Sequence, residues 1–81
     1  MIMAVFMLQL ADGVDAVVEA DAAGRTAAGD IVLERTDRRG RAERLGTYQA
    51  ETVTAVFRRC RADGGLYSWI PQPNDGTWWC Y

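Results

Sequence analysis

The fold turns on residues 4–21, which read AVFMLQLADGVDAVVEAD. Ala4–Ala11 is rich in side chains that suit a pleated, half-buried surface. In Val14–Asp21, Val14, Ala16, Val18 and Ala20 alternate with Asp15, Val17, Glu19 and Asp21, the period of a strand. Two strands therefore meet at Ala11-Asp12-Gly13, and the length of that loop decides their register. A two-residue Asp12-Gly13 turn sets Leu10 opposite Asp15 and Leu8 opposite Val17, so an acidic face lies beside an apolar one. A three-residue loop instead pairs Leu10 with Val14, Leu8 with Ala16 and Phe6 with Val18, and Gly13 becomes the left-handed residue of a bulge. A slip of one residue inverts every side chain. The second register is expected, with Leu8 and Leu10 buried and Asp15 in water.

Outward from this hairpin, strand chemistry continues. Ala22–Gly29 (AAGRTAAG) is small and flexible and reads as a loop with a helical turn. Asp30–Arg35 (DIVLER) is a third strand, and Thr36–Arg41 is a turn with Gly40 near its tip. Ala42–Tyr48 is a fourth strand in which Gly46 marks a bulge or bend. Gln49–Glu51 reads as one 3₁₀ turn. Thr52–Arg58 is a fifth strand with Val53, Ala55 and Phe57 on one face. After the break at Ala62-Asp63-Gly64-Gly65, two aromatic segments, Leu66–Ile70 and Thr77–Tyr81, flank a Pro/Asn/Asp/Gly loop, which is a hairpin signature.

The expected class is all-β. A small antiparallel barrel of about five strands occupies residues 1–61, because closure hides strand edges. A Gly-Gly linker and an aromatic C-terminal hairpin occupy residues 62–81, packed on the barrel or on a partner. Four strands, a 3₁₀ turn and a fifth strand resemble an SH3-like barrel in layout, and a shared layout carries no function with it.

Composition narrows the chemistry. At 81 residues the chain is too short for separate cofactor and substrate domains. It has no His and no Lys, which removes the commonest general base and Schiff-base and P-loop chemistry. Two cysteines, Cys60 and Cys80, are too few for a disulfide scaffold, and without His they cannot close an ordinary zinc site. Asp15, Glu19 and Asp21 are strung along one strand face and read as solvated, since carboxylates so spaced do not converge on one ion. In a strand, Arg59 and Arg61 point away from Cys60. No metal, cofactor or catalytic group is expected. The run Met1–Leu10 is apolar but lacks a basic segment and a small-residue cleavage site, and it is too short to span a bilayer. These features suggest a cytoplasmic protein with reduced thiols and no membrane association.

Two features suggest binding. Tyr67, Trp69, Trp78, Trp79 and Tyr81 are five of the eight aromatic residues and fall within the last fifteen positions. Large rigid side chains of this kind dominate interfaces, although such a segment can equally plug a small core. A sugar-stacking role with Asn74 and Asp75 is less economical, because Asn74-Asp75-Gly76 is ordinary turn chemistry. In a strand Trp78 and Cys80 share one face and Trp79 and Tyr81 the other, so one Trp is structural and its neighbour is free for a partner.

The second feature is charge. Residues 1–24 carry four carboxylates and no base, residues 25–61 carry nine arginines against five carboxylates, and residues 62–81 carry two carboxylates. Arg38, Arg39 and Arg41 around one turn are candidate phosphate ligands, although the molecule is acidic overall, at net charge −2. The expectation is a non-catalytic protein–protein interaction module, an assembly subunit or accessory protein that binds another protein or itself through the aromatic C-terminal surface. The alternative is a nucleic-acid-binding barrel using the basic segment Arg35–Arg61.

Overall fold

The computed structural model describes residues 4–61 and 63–81. Met1–Met3, which open the apolar N-terminal run, and Ala62, which opens the expected linker, lie outside the described residues. Eight strands follow in order: β1 (Ala4–Leu10), β2 (Asp15–Ala20), β3 (Ala22–Arg25), β4 (Ile31–Thr36), β5 (Ala42–Tyr48), β6 (Val53–Arg61), β7 (Tyr67–Pro71) and β8 (Trp78–Cys80). They form two antiparallel four-stranded sheets. The first has the order β2-β1-β6-β7 and the second β5-β4-β3-β8. No helix among the described residues is long and apolar enough to cross a membrane.

The β1–β2 register follows from the three-residue loop. Leu8 faces Ala16 and Phe6 faces Val18. The Leu10 amide donates to the Val14 carbonyl at 2.9 Å and the Gly13 amide to the Leu10 carbonyl at 2.9 Å. Gly13 sits at φ 90, a conformation that only glycine adopts at no steric cost, and the Asp12 carboxylate accepts the Val14 amide. The inward side chains of this pair, Phe6, Leu8 and Ala20, join Val56 from β6 and Ala23, Ile31 and Leu33 from the second sheet in one buried cluster. Phe6, Leu8 and Leu33 are its largest fully buried side chains. Leu10 is only half-buried, because the β1–β6 ladder breaks beside it.

That break corrects the reading of the fifth strand. Gln9 pairs with Ala55 but Leu10 with Val53, so Thr54 is the extra residue of a bulge. The bulge reverses the alternation. Val53 and Val56 face the core, and Ala55 and Phe57 face outward with Met7 and Gln9.

The segment expected as a loop, Ala22–Gly29, contains a strand. β2 crosses into β3 with Asp21 alone between them, so one chain runs through both sheets. Ala20, Ala22 and Ala23 are buried at this corner. The Asp21 amide donates to the Glu34 carbonyl at 2.9 Å, and the Asp21 carboxylate accepts the Thr36 amide at 2.6 Å. Asp21 is therefore a staple between β4 and the corner and does not belong to a solvated acidic face. With β2 and β3 counted as one bent strand, the expected order of four strands, a 3₁₀ turn (Ala50–Thr52) and a further strand is present.

Two expectations fail. The strand pairings do not close the two sheets into a barrel. The two aromatic segments do not form a hairpin with each other. β7 pairs with β6 in the first sheet and β8 with β3 in the second. Each covers an edge that would otherwise be open, and the Gln72 amide, just past β7, still donates to the Val56 carbonyl of β6 at 2.8 Å.

Leu8→Ala should cost about 2–5 kcal/mol, a large part of the roughly 5–15 kcal/mol that holds a domain together. Urea melts of the two proteins check this, and a loss under about 1 kcal/mol would contradict the packing of β1.

Candidate protein-binding surface

The split of β7 from β8 sends the five C-terminal aromatics in three directions. Trp78 turns inward. It packs against the core cluster with Cys80, and its indole Nε1–H donates to the Pro73 carbonyl at 2.9 Å. It is the structural member of the Trp78–Trp79 pair.

Trp79 lies on the outer face of the second sheet, where it pairs with Gly24. Its ring rests directly on that glycine, and a Cβ placed there would come within 2.7 Å of the indole carbons. The strand partner of Gly24 is Val32, which is buried although it faces away from the core cluster. Trp79 thus covers its own sheet with one side and leaves 49% of its surface exposed. Tyr81, exposed to 75%, stands beside Ala22 and Glu34 in the same region.

Tyr67 and Trp69 face outward on the first sheet, opposite Arg61 and Arg59 of β6. The Arg59 guanidinium stacks over the Tyr67 ring, 4.4 Å from its centroid, a cation–π contact that holds both side chains against the sheet. Beside them a row of cross-strand partners, Val17, Met7, Phe57 and Pro71, runs across all four strands. Val17 is 62% exposed, Tyr67 56% and Trp69 37%. Periodicity identified Val17 as outward but could not show that it continues into Met7 and Phe57, because the Thr54 bulge sets their common face.

The arginines expected to act together are divided. Arg38, Arg39 and Arg41 sit in the β4–β5 turn, all exposed. The Asp37 carboxylate accepts the amides of Arg39 and Arg41, and the Asp37 amide donates to the Arg41 carbonyl, so the backbone of this turn is closed on itself. Arg35 and Glu43 form the one ion pair among the described residues, at 3.3 Å and in solvent. Arg59 and Arg61 lie instead on the aromatic face of the first sheet. Arg58 turns inward and latches the chain end: its Nε donates to the Tyr81 main-chain oxygen at 2.9 Å, and its Nη1 lies 3.3 Å from the Cys60 Sγ.

Both cysteines are half-buried free thiols near that guanidinium. Burial pushes the Cys80 thiol above its usual value of 9.0, the Arg58 charge opposes the rise, and the nearby Cys60 adds to it. A groove of about 250 Å³ lies between Arg25, Gly29, Ala50, Val53, Pro73 and Asn74. Arg25 is occupied there by a 2.5 Å hydrogen bond to the Gly76 carbonyl, and the groove brings no acid–base pair together. Among the described residues no cluster of three or more His, Cys, Asp or Glu could hold a metal ion.

No family model matches this chain, and neither does any curated protein or solved structure. The surfaces themselves therefore carry the functional argument.

Gly24→Ala should cost about 1–3 kcal/mol, because the new methyl must lift the Trp79 ring. In a Trp79→Ala background that cost should largely vanish. A double-mutant cycle with equal costs in both backgrounds would show that the ring does not rest on Gly24. The raised Cys80 pKa means that the folded chain holds this proton more tightly than the unfolded chain, so the stabilisation is present at neutral pH and lost as pH climbs through the shifted value. At about pH 8, Cys80 should react with iodoacetamide more slowly than a cysteine in an unstructured peptide, as read by mass spectrometry.

Proposed function

We propose that this chain is a non-catalytic protein–protein interaction module, an assembly subunit or accessory protein, that binds through the outer face of its first sheet. Tyr67 and Trp69 are the anchors of that face. The observation that carries this reading is the unbroken apolar row Val17, Met7, Phe57 and Pro71, flanked by two aromatic rings and two arginines on a sheet face where Val17, Tyr67 and Trp69 stand exposed. Apolar surface of this continuity marks contact sites, and aromatics, Met and Arg are the residues enriched at interface centres. Trp79 is a weaker anchor, since half of its ring is already used on Gly24.

The charge on this face favours a protein over a nucleic acid. Arg59 and Arg61 lie on its β6 side, but Asp15 and Glu19 line its β2 side. A polyanion meets repulsion at that edge, whereas a protein surface can match both signs.

Affinity capture from the native cell with the wild-type and Trp69→Ala proteins tests the proposal. A protein partner should be retained by the wild type and bound roughly 30-fold more weakly by the variant, equivalent to about 2 kcal/mol, with the melting temperature of the free domain little changed. The proposal fails if Trp69→Ala leaves every captured partner in place. It also fails if micromolar binding to DNA or RNA weakens steeply between about 50 and 200 mM salt and is lost when Arg38, Arg39 and Arg41 become Ala.

A further inference from the structure

The outer face of the first sheet is self-complementary, and we propose that its partner is a second copy of this chain, packed face to face about a two-fold axis that runs along the strands. The inference rests on the functional reading above and adds the identity of the partner.

Three observations lead to it. Charge is segregated across the face: β2 presents the exposed carboxylates Asp15 and Glu19, while β6 presents Arg59 and Arg61. None of these four has an ion-pair partner within the described residues, where the one pair is Arg35–Glu43. The apolar row lies between the two charged sides. Its middle members, Met7 and Phe57, are direct cross-strand partners on the two central strands.

A two-fold axis in the plane of the face can run across the strands or along them. Across the strands, β2 meets β2 and β6 meets β6, which sets carboxylate against carboxylate and guanidinium against guanidinium. Along the strands, β1 of one copy lies over β6 of the other and β2 lies over β7. This second arrangement puts Met7 of each copy on Phe57 of its partner and Val17 on Pro71. It also brings Glu19 to the end of the face where Arg59 stands beside Trp69. The contact is isologous: every interaction is made twice, and the same patch is used on both copies, so the contact closes at the dimer. Sheets stacked this way keep their strands nearly aligned and interdigitate side chains across about 10 Å. The Arg59–Tyr67 stack limits the freedom that Arg59 must give up on pairing.

Sedimentation of the intact chain over about 1–100 µM, a range that spans ordinary micromolar association, measures the dimer directly. Glu19→Arg sets a second guanidinium against Arg59 of the other copy, and Arg59→Glu sets a second carboxylate against Glu19. Each variant alone should dimerise at least about tenfold more weakly than the wild type, because like charges then face each other twice. An equimolar mixture of the two variants should recover the wild-type dimer constant, since the mixed pair meets guanidinium with carboxylate at both contacts. Recovery in the mixture cannot arise from misfolding of either variant. A wild-type chain that stays monomeric throughout overturns the proposal, as does a dimer that both variants leave unchanged or whose loss the mixture does not restore. If the wild type is monomeric yet captures a different protein in a Trp69-dependent way, the self-association is wrong and the interaction module stands. If neither occurs, both readings fall.

Discussion

The buried corner at Ala20–Ala23 is the constraint on which the rest of the structure depends. One residue, Asp21, separates a strand of the first sheet from a strand of the second, so the relative orientation of the sheets is set by a single bend. The bend is flanked by the buried alanines Ala20, Ala22 and Ala23, two of which, Ala20 and Ala23, join the core cluster. At the change of direction the Asp21 amide finds the Glu34 carbonyl of β4, and the Asp21 carboxylate in turn accepts the Thr36 amide. With the corner stapled to β4, Leu33 and Ile31 come to face Phe6 and Leu8, and the core forms between the sheets.

From that corner the roles of the C-terminal segment follow. β3 is four residues long and needs a neighbour on its free side, which β8 provides with Trp78 inward and Trp79 laid over Gly24. β6 is the longest strand and receives β7 along its far half. The same C-terminal segment thus adds one strand to each sheet. Trp78 ends up against the core, Trp79 and Tyr81 on the outer face of the second sheet, and Tyr67 and Trp69 on the outer face of the first, beside the row Val17, Met7, Phe57 and Pro71. The edge strand β2 carries Asp15 and Glu19, charges that discourage edge-to-edge pairing. In the proposed dimer the same charges pair across the broad face instead of the edge.

The sequence alone determined every feature that depends on neighbours a few residues apart. The β1–β2 register, the Gly13 bulge, the β4–β5 turn and the 3₁₀ turn before β6 are all legible, because alternation and turn chemistry act between adjacent residues. The opposite facing of Trp78 and Trp79 was legible for the same reason. Which of them enters the core was not, since that depends on β8 pairing with Gly24, far away in the chain. Ala22–Arg25 reads as a loop because small residues have low strand propensity, yet at that site packing against Trp79 and the corner requires them. The Thr54 bulge, which moves Phe57 from the core to the surface, is set by the partner strand β1. The choice of β6 and β3 over a mutual hairpin was made by free edges that exist only once both sheets have formed. Local periodicity encodes how each strand alternates, whereas the side that meets the core and the side left exposed are decided by contacts between residues distant in the chain.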